Sequence, residues 1–196
     1  MKAIEAGTAE RIIQAALQLM QNKGFKAVTI KEIAQASQVS EMTVFRHFGT
    51  KKGVFEAAVK KYSYLPDFKN AFDEKILWDI EKDLYMIAQM YIELMIKNQP
   101  IFLIAVQERT TMPELADFVS KQTDRLKEYL TNYFLVMQDK KKMIKTNTET
   151  QAMVFLTMLY GFFSSKALWK DQFIKESKEE FLQHSVAAFS NGLKNS

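Results

Sequence analysis

Apolar residues recur along almost the whole chain at the three-and-four spacing of a helix, and long alternating β-branched runs are absent, which predicts an all-α fold. The first stripe, through Ile13, Ala16, Leu17 and Met20, predicts a helix over 8–23 with Thr8 as N-cap and Gly24 in the left-handed position that ends it. Thr29-Ile30-Lys31-Glu32 has capping-box spacing and opens a short second helix to residue 36, with Ile30, Ile33 and Ala34 pointing inward. Only Ser37, Gln38 and Val39 separate it from Ser40, the N-cap of a third helix, so the two meet in a tight helix-turn-helix. That third helix covers 41–48 and closes at Gly49; Thr50 caps a fourth that runs to residue 62.

Pro66 and its polar neighbours predict a linker. Beyond it, Ile80, Leu84, Ile87, Tyr91 and Leu94 stripe a helix over 76–98, which Pro100 breaks; 101–108 reads as a short helix, and Pro113 opens a long one to residue 137. The lysine cluster at 140–145 reads as a solvated loop rather than a second nucleic-acid patch. Thr148-Glu149-Thr150-Gln151 and Ser177-Lys178-Glu179-Glu180 then cap two final helices, the last ending at Gly192. The first of these carries Met153, Val154, Phe155, Leu156, Met158, Leu159, Tyr160, Phe162 and Phe163 and has almost no polar face. A surface helix buries only about a third of its circumference, so this one needs cover on more than one side, which a second copy of the chain would supply. The expected architecture is about nine helices: a helix-turn-helix domain with a connecting fourth helix over 1–62, and a larger helical domain over 63–196.

Charge sharpens this division. Residues 1–61 hold ten Lys and Arg against five acids, and the remainder 17 against 18, so a basic head sits on a neutral body. That asymmetry fits a polyanionic partner for the head alone, although a modestly basic solvated surface would show the same count. The absence of cysteine excludes disulfides, thiolate metal sites and cysteine nucleophiles. With two histidines, no His-Glu-x-x-His spacing and no glycine-rich phosphate loop, the expectation is a non-enzyme with neither metal nor cofactor. No uninterrupted apolar run reaches about 18 residues, and the first 25 residues lack a secretory core, which predicts a cytoplasmic protein with no membrane partner.

In a helix-turn-helix the second helix enters the major groove while helix N-termini and basic groups hold phosphates. Here that helix offers Glu41, Met42, Thr43, Phe45, Arg46 and His47 outward and keeps Val39, Val44 and Phe48 for packing. Thr50 and Lys51 stand at the next helix N-terminus, where free amides favour an anion. Thr29 and Ser40, at the two preceding N-termini, and Lys31 complete the candidate DNA-contacting set. His47 is open between a DNA contact and a ring that caps the short helix.

The run Thr29-Ile30-Lys31-Glu32-Ile33-Ala34, then Val39-Ser40, then Thr43 through Lys51, resembles the DNA-binding signature of TetR-family transcriptional regulators, and Gly24-Phe25 is similar to that pattern as well. The resemblance covers roughly residues 8 to 60. It implies that Thr43 and Phe45 lie near phosphates, that Glu41, Met42 and Arg46 meet bases, and that Lys31 and Lys51 hold phosphates on either side of the groove. Two positions depart from the pattern. Phe45 replaces the usual tyrosine and has no hydroxyl to offer, and Gln38 replaces the usual turn glycine, which implies either a non-glycine residue at positive φ or a slightly different turn.

The resemblance also implies a homodimer formed through the last two helices, double-stranded DNA with a palindromic operator, and a small-molecule effector whose binding changes the separation of the two heads. Met86, Met90, Tyr91, Phe102, Gln122, Met158, Phe162 and Trp169 are candidate lining for a hydrophobic or amphipathic effector, and the same residues at helical spacing equally make an ordinary core. Gln107, Glu108, Arg109 and Gln151 join Gln122 as candidate polar anchors. The expected function is a ligand-responsive repressor; the alternative is an architectural or occlusion protein of the same fold with a protein partner instead of an effector.

Overall fold

The computed structural model describes residues 7–62, 66–110 and 114–195. Among them are ten α-helices, one 3₁₀ turn and no strand; an isolated antiparallel bridge pairs Met143 with Lys194. The chain gathers into two units, one of residues 1–64 and 98–116, the other of 65–97 and 117–196.

The first unit holds α1 (Thr8–Lys23), α2 (Ile30–Ala36), α3 (Glu41–Phe48), α4 (Lys51–Tyr62) and α7 (Gln99–Gln107). Its core follows the sequence stripes: Ile12, Ile13, Ala16, Leu17 and Met20 of α1 are buried with Ile33 and Ala34 of α2, Val44 of α3, and Val54, Phe55, Ala58 and Val59 of α4. Local signals set the helix ends. Thr29 and Glu32 form a full capping box, Ser40 Oγ accepts the Thr43 amide, and Gly24 and Gly49 turn the chain at φ 82° and 70°. Gln38 takes φ 56°, the left-handed conformation, which is the first of the two alternatives its replacement of a turn glycine left open. At the start of α1 the cap is Gly7, with Thr8 the first helical residue.

The second unit holds α5 (Pro66–Glu74), α6 (Ile80–Lys97), nearly all of α8 (Glu114–Asp139), α9 (Thr148–Trp169) and α10 (Lys178–Asn191). Ile80, Leu84, Ile87 and Tyr91 of α6 are buried here, as are Leu126, Leu130, Phe134 and Met137 of α8 and Phe155, Leu156 and Leu159 of α9. A buried polar knot organises one end: the Asp83 carboxylate accepts the amides of Leu77 and Asp79 at 2.8 and 3.0 Å and the Tyr133 hydroxyl at 2.8 Å. Burial and the neighbouring Asp83 charge hold the Tyr133 phenol well above its usual pKa, so it stays a donor.

Three expectations need correction. The stretch at Pro66 is a helix: Pro66 occupies its first position, and Phe68 and Phe72, one turn apart, give it an apolar side, with Phe72 stacked on Tyr129 at 5.5 Å. This helix raises the count above nine. The helix expected from residue 76 starts at Ile80, because the Asp83 carboxylate binds the amides of Leu77 and Asp79 ahead of it. The N-cap of α9 is Asn147, whose side chain accepts the Thr150 amide, while Thr148 is buried inside the first turn. Residues 148–172 are long and apolar enough, by length and composition alone, to cross a bilayer, a property that core helices share; Thr157, Gly161, Ser164 and Ser165 break the apolar run. α7 gathers with the first unit, beyond the 1–62 range expected for the head.

Candidate nucleic-acid interface

Amphipathic asymmetry along the eight residues of α3 builds the interface. Val44 is fully buried, whereas Met42 is 75% and Phe45 48% exposed, and Glu41, Arg46 and His47 are exposed with them. The buried valine anchors one face, so the opposite face is a rigid platform of mixed chemistry: a thioether, an aromatic ring, a guanidinium and an imidazole. Lys31 on α2 and Arg46 on α3 have neither hydrogen-bond nor ion-pair partners among the described residues, which leaves both cations available to a polyanion. His47 stands out from the core, its ring 5.8 Å from that of Phe48.

The two N-termini flanking the turn are already capped. Thr29 accepts the Glu32 amide while its amide and hydroxyl both reach the Glu32 carboxylate at 2.8 and 2.9 Å. Lys23 closes on the same carboxylate at 2.8 Å, and these contacts, Lys23 first, lower its pKa to about 2. Ser40 and Thr43 share a hydroxyl contact at 2.9 Å, with Thr43 half-buried. Thr50 Oγ1 accepts the Gly53 amide at 2.9 Å. Gly53 is required there, since a Cβ would come within 2.1 Å of the Phe48 carbonyl oxygen; that close approach sets α4 directly against the end of α3.

A family model for bacterial regulatory proteins of the tetR family matches residues 12–58, the span of these helices. Over nearly the full chain, the HTH-type transcriptional regulator YvkB of Bacillus subtilis (strain 168) is 31% identical across 186 residues, 95% of this chain and 97% of that protein. The chain belongs to the TetR family of bacterial transcriptional regulators. A second relative, the biofilm operon icaADBC HTH-type negative transcriptional regulator IcaR of Staphylococcus aureus (strain Newman), is 23% identical over 177 residues, covering 88% and 91% of the two chains. A TetR-family regulator structure from Mesorhizobium loti MAFF303099 shares the fold with a TM-score of 0.72 at 21% identity, covering 99% of this chain and all of that one. Members of this family regulate transcription and are not enzymes.

Within the TetR-type head, one candidate contact is used internally. Lys51 turns inward: its ammonium donates to the carbonyls of Phe25, Lys26 and Val28 at 2.6, 3.1 and 2.6 Å and lies 4.6 Å from the Phe25 ring centroid. Its three N–H donors are thereby engaged within the head. Burial draws its pKa below the usual lysine value, with the Glu108 and Glu32 charges opposing. Glu108, the residue that ends α7, is itself buried, and its carboxylate accepts the Phe25 amide at 3.1 Å. Periodicity could not find this contact, because it joins residues 83 positions apart.

The candidate effector-lining residues scatter. Met86 borders an open groove in the second unit; Tyr91 and Phe162 are buried, the latter stacked on Phe181 at 4.1 Å; Met90 and Met158 are half-buried. Phe102 is buried in the first unit, Trp169 is exposed beside Phe173, and the side chain of Gln122 lies outside the described residues. Of the polar anchors, Arg109 donates to the Val106 carbonyl and Gln151 to Thr146.

Two predictions follow from this geometry. Lys51→Met removes charge-assisted hydrogen bonds and is expected to lower folding stability by about 1.5–3 kcal/mol in urea denaturation, while the salt slope of DNA binding stays as in the wild type. A slope reduced by about one unit would instead mark a lost phosphate contact. The Glu32 carboxylate has its pKa lowered from 4.5 to about 2, so the stability it contributes is present above pH 4.5 and is lost as pH falls toward 2. Glu32→Gln is therefore expected to flatten the pH dependence of the melting temperature within that window, and an unaltered acid limb would contradict the box.

Proposed function

We propose that the chain is a homodimeric, ligand-responsive repressor of the cytoplasm that binds a palindromic operator through α3 and is released by a small hydrophobic or amphipathic effector. The reading assigns DNA binding to residues 1–62 and effector binding with dimerisation to 63–196. The observation that carries it is the outward face of α3, where Met42, Phe45, Arg46 and His47 stand exposed on a helix anchored by a fully buried valine. IcaR, one of the relatives, is a negative regulator by name, which supports repression as the sign.

Dimerisation is supported by α9. Met153, Val154 and Tyr160 are exposed together on it, with Thr157, Gly161 and Ser164 between and beyond them at helical spacing, while Phe155, Leu156 and Leu159 fill the core. A two-fold axis through α9 and α10 would bury the same patch on both copies. Two heads on one face of B-DNA must then stand about one helical turn, 34–36 Å, or a multiple apart. An effector that favours another spacing lowers DNA affinity by its differential affinity for the two geometries and by nothing else.

Selection of bound duplexes from a random pool tests the reading, and recovery of paired half-sites is the expected result. On a selected duplex, Arg46→Ala is expected to cost about 1–3 kcal/mol and relax preference at one base pair, whereas Lys31→Ala weakens all sequences alike and lowers the salt slope by about one unit. Full wild-type binding by both variants would remove α3 from the groove. In sedimentation analysis, Val154→Glu with Tyr160→Glu is expected to convert a dimer to a folded monomer; an unchanged mass would move the interface elsewhere.

A further inference from the structure

The second unit contains an open groove of about 980 Å³ where the α5–α6 connection, the α8–α9 loop and the residues after α10 come together. That volume falls within the range of small-molecule sites. Its floor is apolar, with Met86, Met137 and Val186 among the lining, the last two buried. Its rim is basic. Lys82 pairs with Asp79 at 3.1 Å and Lys194 with Glu81 at 2.7 Å, whereas Lys141 and Lys142 face no carboxylate among the described residues. The Lys142 ammonium donates to the Trp78 carbonyl at 2.8 Å, which satisfies one donor without cancelling its charge. Four lysines against two acids leave the lining with a net positive charge of two.

One lining residue holds a conformation that bulky side chains disfavour, Trp78 at φ 60°; Lys141, at φ 58°, is the left-handed residue that closes α8, its amide on the Gln138 carbonyl and that of Lys142 on Met137. For a bulky residue such a φ is a true outlier, and strain of this kind persists only where the surroundings over-determine it, most often at binding sites and switches. The surroundings here are specific. The indole of Trp78 stacks on Tyr133 at 6.0 Å and an interplanar angle of 13°, the Lys140 ammonium lies 4.7 Å from its centroid, and Tyr133 is fixed in turn by Asp83. The wall is therefore built before any ligand arrives, which reduces the ordering cost of binding.

We infer that this groove binds an amphipathic anion, with its acidic head against Lys141 and Lys142 and its apolar body along Met86, Met137 and Val186. The charge balance selects an anion over a cation of equal size, and the apolar floor favours a chain-bearing acid over a small inorganic one. The inference concerns binding alone and holds whether or not the ligand loosens DNA.

Titration calorimetry on the full chain tests it, using decanoate, decyltrimethylammonium and acetate below their aggregation concentrations. Decanoate is expected to saturate a single site, with the other two at least about tenfold weaker. Lys141→Glu with Lys142→Glu, both on an exposed loop, weakens decanoate by about tenfold or more, and Ala187→Trp, which fills the groove from α10 without altering its charge, abolishes binding. Equal affinity for decanoate and decyltrimethylammonium, decanoate binding unchanged in the lysine variant, or no decanoate binding into the millimolar range would overturn the inference.

Discussion

One ammonium group holds the DNA-binding head in register. Helices of 7, 8 and 12 residues such as α2, α3 and α4 are too short to persist by themselves, so their positions come from tertiary contact. Lys51, in the first turn of α4, draws in the carbonyls of Phe25, Lys26 and Val28, the loop between α1 and α2. The loop is also gripped by α7's terminal Glu108, on the Phe25 amide, and by the edge of Phe25 against Phe55 at 5.9 Å. A loop of irregular backbone thus finds acceptors and donors for its polar groups in side chains from two other helices. α3 is in turn seated against both α2 and α4.

The elements of the head were legible because their signals are local. A capping box, an N-cap serine and a turn glycine each act across three or four residues, so Thr29, Ser40, Gly24 and Gly49 could be read in order, while the positive φ of Gln38 was suggested only by the resemblance, in which a glycine usually stands there. The misreadings share the opposite property. Asp83 decides where α6 begins by binding amides ahead of the helix and a tyrosine fifty positions away. The internal hydrogen bonds of Lys51 were likewise out of reach of local spacing, since they join α4 to a loop more than twenty positions earlier. α5 was obscured by its polarity, since its apolar side rests on Phe68 and Phe72 within a mostly polar segment.

The effector-lining candidates illustrate a different limit. Helical periodicity tells which face of a helix is covered but not whether the cover is a neighbouring side chain or an empty volume. Phe162 has the spacing of a pocket residue and spends its face on Phe181. Met86 has the same spacing one helix away and borders open space. Distinguishing them requires knowing how α10 packs on α6 and α9, which depends on contacts between residues remote in sequence.

The apolar character of α9 poses a choice that its burial pattern helps decide. A helix suspended in a bilayer exposes apolar groups around its whole circumference, and here Phe155, Leu156, Leu159 and Phe163 are packed inside the protein while Met153, Val154 and Tyr160 are exposed. The exposed side is interrupted by Thr157, Gly161, Ser164 and Ser165, small residues that let a second helix approach closely and that gain nothing from lipid tails. Lys166 and Asp171 close the end with an ion pair at 2.6 Å. A one-sided apolar face with small polar breaks matches the surface of another folded helix. On the proposed reading that helix is its own copy, which would cover the apolar patch that α9 leaves exposed.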